Sequence, residues 1–165
     1  MMADARPATA LALLAAAMLA AAYGFEHLGG LAPCALCWWQ RYAWMAALGP
    51  ACVAIAAARH APRAATALLL LAALAALAGA AIAFFHVGVE QGWWEGTAAC
   101  GSALGQGLSA EERLRRILAA PVVRCTDIPW SMLGISMAGW NGIVALGGGG
   151  LALRAALRQV LGAKR

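Results

Sequence analysis

The sequence contains little charge. Only 12% of its 165 residues are Asp, Glu, Lys or Arg, whereas 64% are hydrophobic. Soluble domains carry about 25% charged residues, so this composition excludes an ordinary water-soluble protein and favours one that folds in a lipid bilayer. The basic residues, which give a formal net charge of +5, are not gathered with stacking aromatic residues. The sequence therefore lacks the pattern of a nucleic-acid-binding protein.

Long runs without charge predict membrane-spanning helices, because about 18 or more consecutive apolar residues are typical of a span. Four runs qualify, at 8–25, 37–58, 64–89 and 132–153, and the second contains Arg41 near its beginning. Alanine and glycine dominate these runs, and such small residues let neighbouring helices approach closely. The sequence therefore predicts a single all-α membrane domain over residues 1–165, folded as a four-transmembrane-helix bundle.

The distribution of cations predicts the orientation. Four spans place both termini on one side, which holds seven cations and the single acid Asp4, whereas the other side holds five arginines. Cytoplasmic loops are enriched in Lys and Arg, so both termini are predicted to be cytoplasmic, with outer loops at about 26–36 and 90–131. The first run also resembles a cleavable signal peptide, with a site in "AMLAAAYG", but this topology favours a retained span.

This topology places four of the five cysteines outside the membrane. Cys34 and Cys37 form a Cys-x-x-Cys motif at the end of the first outer loop, and Cys100 and Cys125 lie in the second. They therefore face the compartment in which disulfides persist. Cys52 lies about 22 Å deeper along the second predicted span, at 1.5 Å per residue. It is predicted to be a small buried apolar residue of a helix.

Four outer cysteines allow three pairings, and the sequence leaves the choice open. A Cys-x-x-Cys bridge closes a very small ring and is often redox-active, whereas a structural disulfide generally spans more chain. A structural zinc site is the alternative for the four cysteines. Such sites usually combine two closely spaced pairs, but Cys100 and Cys125 are 25 residues apart. No metal is therefore predicted.

The surroundings of Cys37 also indicate redox chemistry. Cys37 lies at the start of a predicted helix, whose positive dipole end stabilises a thiolate, and Arg41 follows at i+4 on the same face. An ionisable residue at this depth indicates function, although an arginine that snorkels to the headgroups is the alternative. The nearby aromatic residues are typical of an interfacial belt and also suit a flat, lipid-soluble ligand. They are Trp38, Trp39, Tyr42 and Trp44.

The second outer loop contains a predicted amphipathic helix in "SAEERLRRILAA". Ser109 and Glu112 form a capping box, and Leu114, Ile117 and Leu118 fall on one face. We expect this helix to lie on the membrane surface. Two dithiols at one membrane edge suggest a relay of thiol–disulfide exchange, for which a membrane quinone is the accessible two-electron acceptor.

Taken together, these segments resemble the disulfide bond formation protein B (DsbB) family of bacterial inner-membrane thiol oxidases. "PCALCWWQR" resembles the first-loop motif of that family. "AFFHVGVEQGWW" and "VRCTDIPWSMLGISMAGWN" resemble the end of its third helix and the passage from its last cysteine into its fourth helix. The resemblance implies a multi-pass enzyme of the inner membrane with periplasmic loops. It also implies ubiquinone or menaquinone as cofactor and a periplasmic DsbA-like thiol oxidoreductase as partner.

The resemblance also implies a role for each outer cysteine. Cys100 would form the mixed disulfide with the partner, and Cys125 would exchange with Cys34. Cys37 would be the thiolate that contacts the quinone ring. The alternatives are a related protein dedicated to one specific partner, or a non-enzymatic membrane module with static disulfides or a bound metal.

Two further residues are expected at the quinone site because of the resemblance. Arg41 would hold the quinone and polarise its oxygen, and His86 matches a position near the site. Gln40 is given no catalytic role. In the fourth span, "GGGG" at 147–150 and Asn141 are both interpreted as close-packing positions between helices.

Overall fold

A computed structural model describes residues 3–101, 109, 111, 115 and 123–162. Its helices are α1 (Arg6–His27), α2 (Ala35–Ala57), α3 (Pro62–Glu90), the short α4 (Ala98–Gly101) and α5 (Met137–Gly162). Two short strands, β1 (Ser131–Met132) and β2 (Ile135–Ser136), precede α5. The predicted amphipathic helix at 109–120 lies outside the described residues except for 109, 111 and 115.

The fourth long helix begins later than the sequence predicts. Residues 131–136 form an antiparallel hairpin in which Ser131 pairs with Ser136 and Met132 with Ile135. Leu133 and Gly134 have φ values of 55° and 76°, as a two-residue hairpin turn requires. The helix therefore begins five residues after 132, where the sequence places the start of the fourth span. The helix also continues beyond 153 to Gly162, and Arg154 and Arg158 in these last turns are exposed.

Two of the long helices, α1 and α3, are long and apolar enough to cross a membrane. The polar side chains of α2 and α5, among them Gln40, Arg41 and Asn141, lie within otherwise apolar segments. The helical fold is as predicted, whereas the division of residues 1–165 into four spans and two periplasmic loops stays a prediction.

The core is built from small side chains. The helix α3 packs against both α2 and α5, and α1 packs against α2. Ala47, Ala72, Ala73 and Ala145 are fully buried in the centre of this arrangement. Alanine at these positions lets the helix backbones approach closely, as in other membrane bundles. This close approach positions the ends of α2 and α3 beside each other.

The four consecutive glycines of α5 divide into two kinds. A Cβ added to Gly149 would lie 3.0 Å from Cγ of Leu77 and 3.2 Å from the carbonyl oxygen of Ala73. A Cβ added to Gly148 would meet Leu14 of α1 at 2.3 Å, whereas none of the described atoms lies within 4 Å of one added to Gly147. The expected close packing is therefore found on only part of this segment.

We expect Gly149→Leu to lower the stability of the bundle by about 1–3 kcal/mol or more, because the side chain would overlap α3. Gly147→Leu is the matched control. It adds the same side chain to the same helix where the described structure leaves room, and removing a helical glycine is favourable by about 1 kcal/mol. Thermal unfolding in detergent measures both variants. Equal melting temperatures would contradict the packing described for α5.

Candidate redox site

The Cys-x-x-Cys motif forms the beginning of α2. Cys34 is the N-cap residue, and its Sγ accepts a hydrogen bond from the backbone N–H of Cys37 at 3.2 Å. The first N–H groups of a helix have no partner within the helix, so the sulfur takes the place of a capping oxygen. The two sulfurs lie 2.7 Å apart as free thiols. They are close enough to form a bond on oxidation.

The second pair is oxidised. Cys100 in α4 and Cys125 before the hairpin form a disulfide, with their Cα atoms 5.2 Å apart. Both side chains are buried in one cluster with Cys34, Leu36 and Val89. Of the three pairings that the sequence leaves open, the structure has Cys100–Cys125. It also brings this disulfide into the same cluster as the thiol pair.

His86 of α3 connects the two pairs. Its Nε2 lies 3.6 Å from Sγ of Cys34 and 3.2 Å from the carbonyl oxygen of Cys125. The side chain is only 3% exposed. Glu90 follows one turn later, with Oε1 3.9 Å from Nε2, and accepts a hydrogen bond from Ser136. His86 thus contacts the cysteines, Glu90 and Gln40, and none of its described contacts is with Arg41.

The environment of Cys34 favours its thiolate. A hydrogen bond from the Cys37 thiol, supported by His86 and the Cys37 backbone N–H, lowers the pKa of Cys34 to about 4 despite the opposing effect of burial. The sequence predicts that the helix start stabilises a thiolate on Cys37. Cys37 lies in the first turn of α2, as expected, but the capping position and the lowered pKa belong to Cys34.

Arg41 is buried against α1. It is 6% exposed, forms an ion pair with Glu26 and donates to the carbonyl oxygen of Ala22 at 3.1 Å. Its guanidinium lies 4.8 Å from the ring centre of Tyr23 and 4.9 Å from that of Trp38. The side chain is therefore a fixed, ring-flanked cation rather than one that snorkels to the membrane surface.

Comparison with known proteins identifies the family. The model of the family "Disulfide bond formation protein DsbB" matches residues 5–155. The chain belongs to the DsbB family. Disulfide bond formation protein B of Methylococcus capsulatus is 36% identical over 146 residues, which cover 86% of this chain and 87% of the relative. The protein of the same name from Marinobacter nauticus is 33% identical over 138 residues, which cover 79% of each chain.

No solved structure gives a significant match. The resemblance to the DsbB family is nevertheless confirmed by the family model and by these curated relatives. Membership implies a disulfide-generating oxidoreductase, and the family together with the two apolar helices indicates an inner-membrane protein.

The structure corrects two expectations about side-chain burial in this DsbB-family chain. Trp39 and Tyr42 are exposed, as expected for an interfacial belt, but Trp44 is only 4% exposed and points into the bundle. Cys52 is exposed on the outside of α2 rather than buried. Because an α-helix turns once every 3.6 residues, an apolar run contains both outward and inward positions, and the run alone does not distinguish them.

The polar network behind the cysteines is not predicted from the sequence. Gln40 is expected to have no catalytic role and Asn141 to be a packing position, yet both are buried and hydrogen-bonded to each other, and they connect Trp44 with His86. An amide inside an apolar run is the signal that could have found them, because buried polar groups need partners.

A metal-binding arrangement also lies within the DsbB-family site. The ligand atoms of Cys34, Cys37 and His86 all lie within 4.8 Å of one another. The set differs from the four cysteines considered in the sequence analysis, because Cys100 and Cys125 are bonded to each other. Two sulfurs and one imidazole suit zinc, whereas the hydrogen bond at Nε2 of His86 competes with a metal for the same nitrogen.

Proposed function

We propose that this DsbB-family chain oxidises a periplasmic DsbA-like dithiol protein and passes the electrons to a membrane quinone, either ubiquinone or menaquinone. One observation carries the proposal: the Cys100–Cys125 disulfide is buried in one cluster with the Cys34/Cys37 thiol pair, and His86 contacts both. A disulfide beside a dithiol is the arrangement that thiol–disulfide exchange requires.

The first exchange oxidises the partner. A partner thiolate attacks Sγ of Cys100, forming a mixed disulfide and releasing Cys125 as a thiolate. The second partner thiolate then attacks the partner sulfur of that mixed disulfide and releases Cys100. The partner loses two electrons and leaves with a disulfide, while Cys100 and Cys125 are reduced.

The second exchange moves the electrons within the chain. The Cys125 thiolate attacks Sγ of Cys34 in the Cys34–Cys37 disulfide, and Cys37 leaves as a thiolate. The Cys100 thiolate then attacks Sγ of Cys125, which restores the Cys100–Cys125 disulfide and releases Cys34. The described arrangement, with Cys100–Cys125 oxidised and the other pair reduced, corresponds to the end of this transfer.

The residues around Arg41 fit a quinone. A buried guanidinium between the rings of Tyr23 and Trp38, one helical turn from Cys37, suits a flat ligand that carries a polar oxygen. A bound quinone supplies a two-electron acceptor for the reduced cysteine pair. In this proposal Arg41 would hold the quinone by its oxygen, and Cys37 would be the thiolate that contacts it. His86 was expected near the quinone, but its contacts with Cys34 and Cys125 favour a role in the exchange.

The second candidate function is a non-enzymatic module with static disulfides or a bound metal, which the cluster of Cys34, Cys37 and His86 favours. A redox titration of the purified protein distinguishes the two. Static disulfides have potentials below about −300 mV, whereas an oxidase pair equilibrates at a far more oxidising potential. A strongly reducing potential, or zinc that stays bound and blocks oxidation of the Cys34/Cys37 pair, would favour the module. A protein dedicated to one partner would share the oxidase chemistry and differ only in the partner accepted.

The topology is also a proposal, with both termini cytoplasmic and the first span retained. A reporter enzyme that is active only in the periplasm, fused after Arg165, should be inactive. The same reporter inserted in the loop at 90–97, between α3 and α4, should be active. Strong activity of the C-terminal fusion would contradict the orientation.

A further inference from the structure

A buried row of hydrogen bonds crosses three helices behind the cysteines. Trp44 Nε1 donates to Asn141 Oδ1 at 2.7 Å, and Asn141 Nδ2 donates to Gln40 Oε1 at 2.6 Å. Gln40 Nε2 then donates to Nδ1 of His86 at 2.9 Å. All four side chains are buried. The row begins on α2, passes through α5, returns to α2 and ends on α3, at the residue that contacts Cys34.

We propose that Trp44, Asn141 and Gln40 are positioning residues that hold His86 in the tautomer with its proton on Nε2, so that this N–H points at the Cys34 sulfur. The proposal rests on the proposed function, because the step that the oriented N–H serves is the exchange between Cys34 and Cys125.

The direction of the row follows from its first member. An indole N–H donates and cannot accept, so Asn141 must turn its oxygen towards Trp44 and its nitrogen towards Gln40. Gln40 must then accept with Oε1, which leaves its nitrogen facing His86. A nitrogen that receives this hydrogen bond carries no proton, so Nδ1 is the bare nitrogen and Nε2 carries the proton.

Two backbone carbonyl groups support the same direction independently. Gln40 Nε2 lies 3.2 Å from the carbonyl oxygen of Leu36, and His86 Nε2 lies 3.2 Å from that of Cys125. Carbonyl oxygens only accept, so both nitrogens must be donors. Reversing either amide or the imidazole would place acceptors against acceptors in a buried site, which costs about 1–3 kcal/mol per unpaired group.

The Nε2–H tautomer of His86 acts on Cys34 and Cys125. The Nε2–H group faces the Cys34 sulfur at 3.6 Å and the Cys125 carbonyl at 3.2 Å. It therefore stabilises a thiolate on Cys34 and holds the Cys125 backbone beside that sulfur. Among the described residues, the other titratable groups here are Cys37 beside Cys34, Glu90 beside His86, and the Arg41–Glu26 pair one helical turn beyond Cys37. The other tautomer would turn a lone pair towards the sulfur.

The test uses a substitution of nearly the same shape to reverse the direction of the hydrogen bond between Gln40 and His86. In Asn141→Asp the ionised carboxylate accepts from Trp44 but cannot donate to Gln40, whose amide then turns its nitrogen to α5 and its oxygen to His86. The proton should move from Nε2 to Nδ1. Nitrogen-15 NMR of the reduced protein, labelled at histidine, reads the tautomer directly, and His86→Gln identifies the signal among those of His27 and His60. We expect the Nε2–H form in the parent and the Nδ1–H form in Asn141→Asp.

Gln159→Glu is the matched control, because Gln159 is an amide of the same helix that bonds to Thr66 of α3 at 2.8 Å, far along the chain from the cysteines. This change should leave the His86 signal unaltered. If Asn141→Asp does not fold, or if its new carboxyl group stays protonated, Gln40→Glu presents a carboxylate to Nδ1. A carboxylate only accepts, so Nδ1 should then carry a proton. An Nδ1–H form in the parent, or an Nδ1 without a proton in a folded Gln40→Glu variant, would overturn the proposal.

The rate of Cys34 alkylation by iodoacetamide, followed by mass spectrometry, measures the effect on the sulfur. In the reduced protein, the pH at which this rate is half-maximal should rise by about one unit in Asn141→Asp, because the Cys34 thiolate loses a hydrogen bond from a neighbouring group. Gln159→Glu should leave the rate unchanged. Both readouts need neither partner nor quinone. A protein that shows the expected tautomer but does not oxidise a dithiol would therefore refute the oxidase function alone.

Discussion

Cys100→Ser and Cys125→Ser are each expected to abolish oxidation of the partner dithiol protein. Cys100 and Cys125 form the disulfide in this structure, and serine at either position removes the bond that a partner thiolate must attack. The measurement is thiol loss from a reduced DsbA-like protein in the presence of quinone, with each purified variant. The effect should be complete, since no electrons can enter the Cys34/Cys37 pair by the proposed route.

Cys52→Ala is the control for these variants. Cys52 is a free cysteine on the exposed side of α2, so its removal should leave turnover largely intact. Loss of turnover in a folded Cys52→Ala protein would require a different relay. Substantial partner oxidation by Cys100→Ser would show that the partner attacks another sulfur.

Arg41→Gln should reduce the rate of quinone reduction about 10²- to 10³-fold, the cost typical of removing one donor that stabilises developing charge. Negative charge develops on the acceptor as Cys37 reacts, and a fixed cation in a site of low dielectric constant stabilises that charge more than a solvated one does. Arg41→Lys keeps the charge but loses the planar fork, so its defect should be smaller, with a raised apparent KM for quinone. Exchange between Cys100/Cys125 and the partner should persist. A single-turnover assay with and without quinone separates the two steps.

The structure adds a control for this experiment. Because Arg41 also ties α2 to α1 through Glu26, a slow Arg41→Gln variant could reflect a displaced helix. Glu26→Gln breaks the same ion pair while keeping the cation, and it should reduce quinone much faster than Arg41→Gln. If Arg41→Gln reduces quinone at the parental rate, Arg41 serves only as a link between the helices.

The long helices could be predicted from the sequence because charge-free runs mark them directly. The predicted runs at 8–25, 37–58 and 64–89 lie close to α1, α2 and α3. The hairpin at 131–136 could not be predicted in this way. Its residues are mostly apolar, and its turn puts Leu133, a residue that rarely adopts positive φ, in the left-handed region.

The site was predictable only in part. The cysteines and Arg41 stand out by residue type, but the capping position of Cys34 depends on where the backbone of α2 begins. The contacts of Asn141 depend on tertiary packing, since Gln40 lies 101 residues away along the chain. The pairing of Arg41 with Glu26 has the same origin. Residue type indicates that such groups need partners, and the packing of the helices decides which partners they have.

The most direct test of the proposed electron path is a stoichiometric assay of the purified protein in detergent. Reduced DsbA-like protein is mixed with ubiquinone or menaquinone, and thiol loss and quinone reduction are recorded together. The proposal predicts one quinone reduced for each partner disulfide formed, and no sustained thiol loss when quinone is omitted. Sustained oxidation of the partner without quinone, or no oxidation with either quinone, would contradict it.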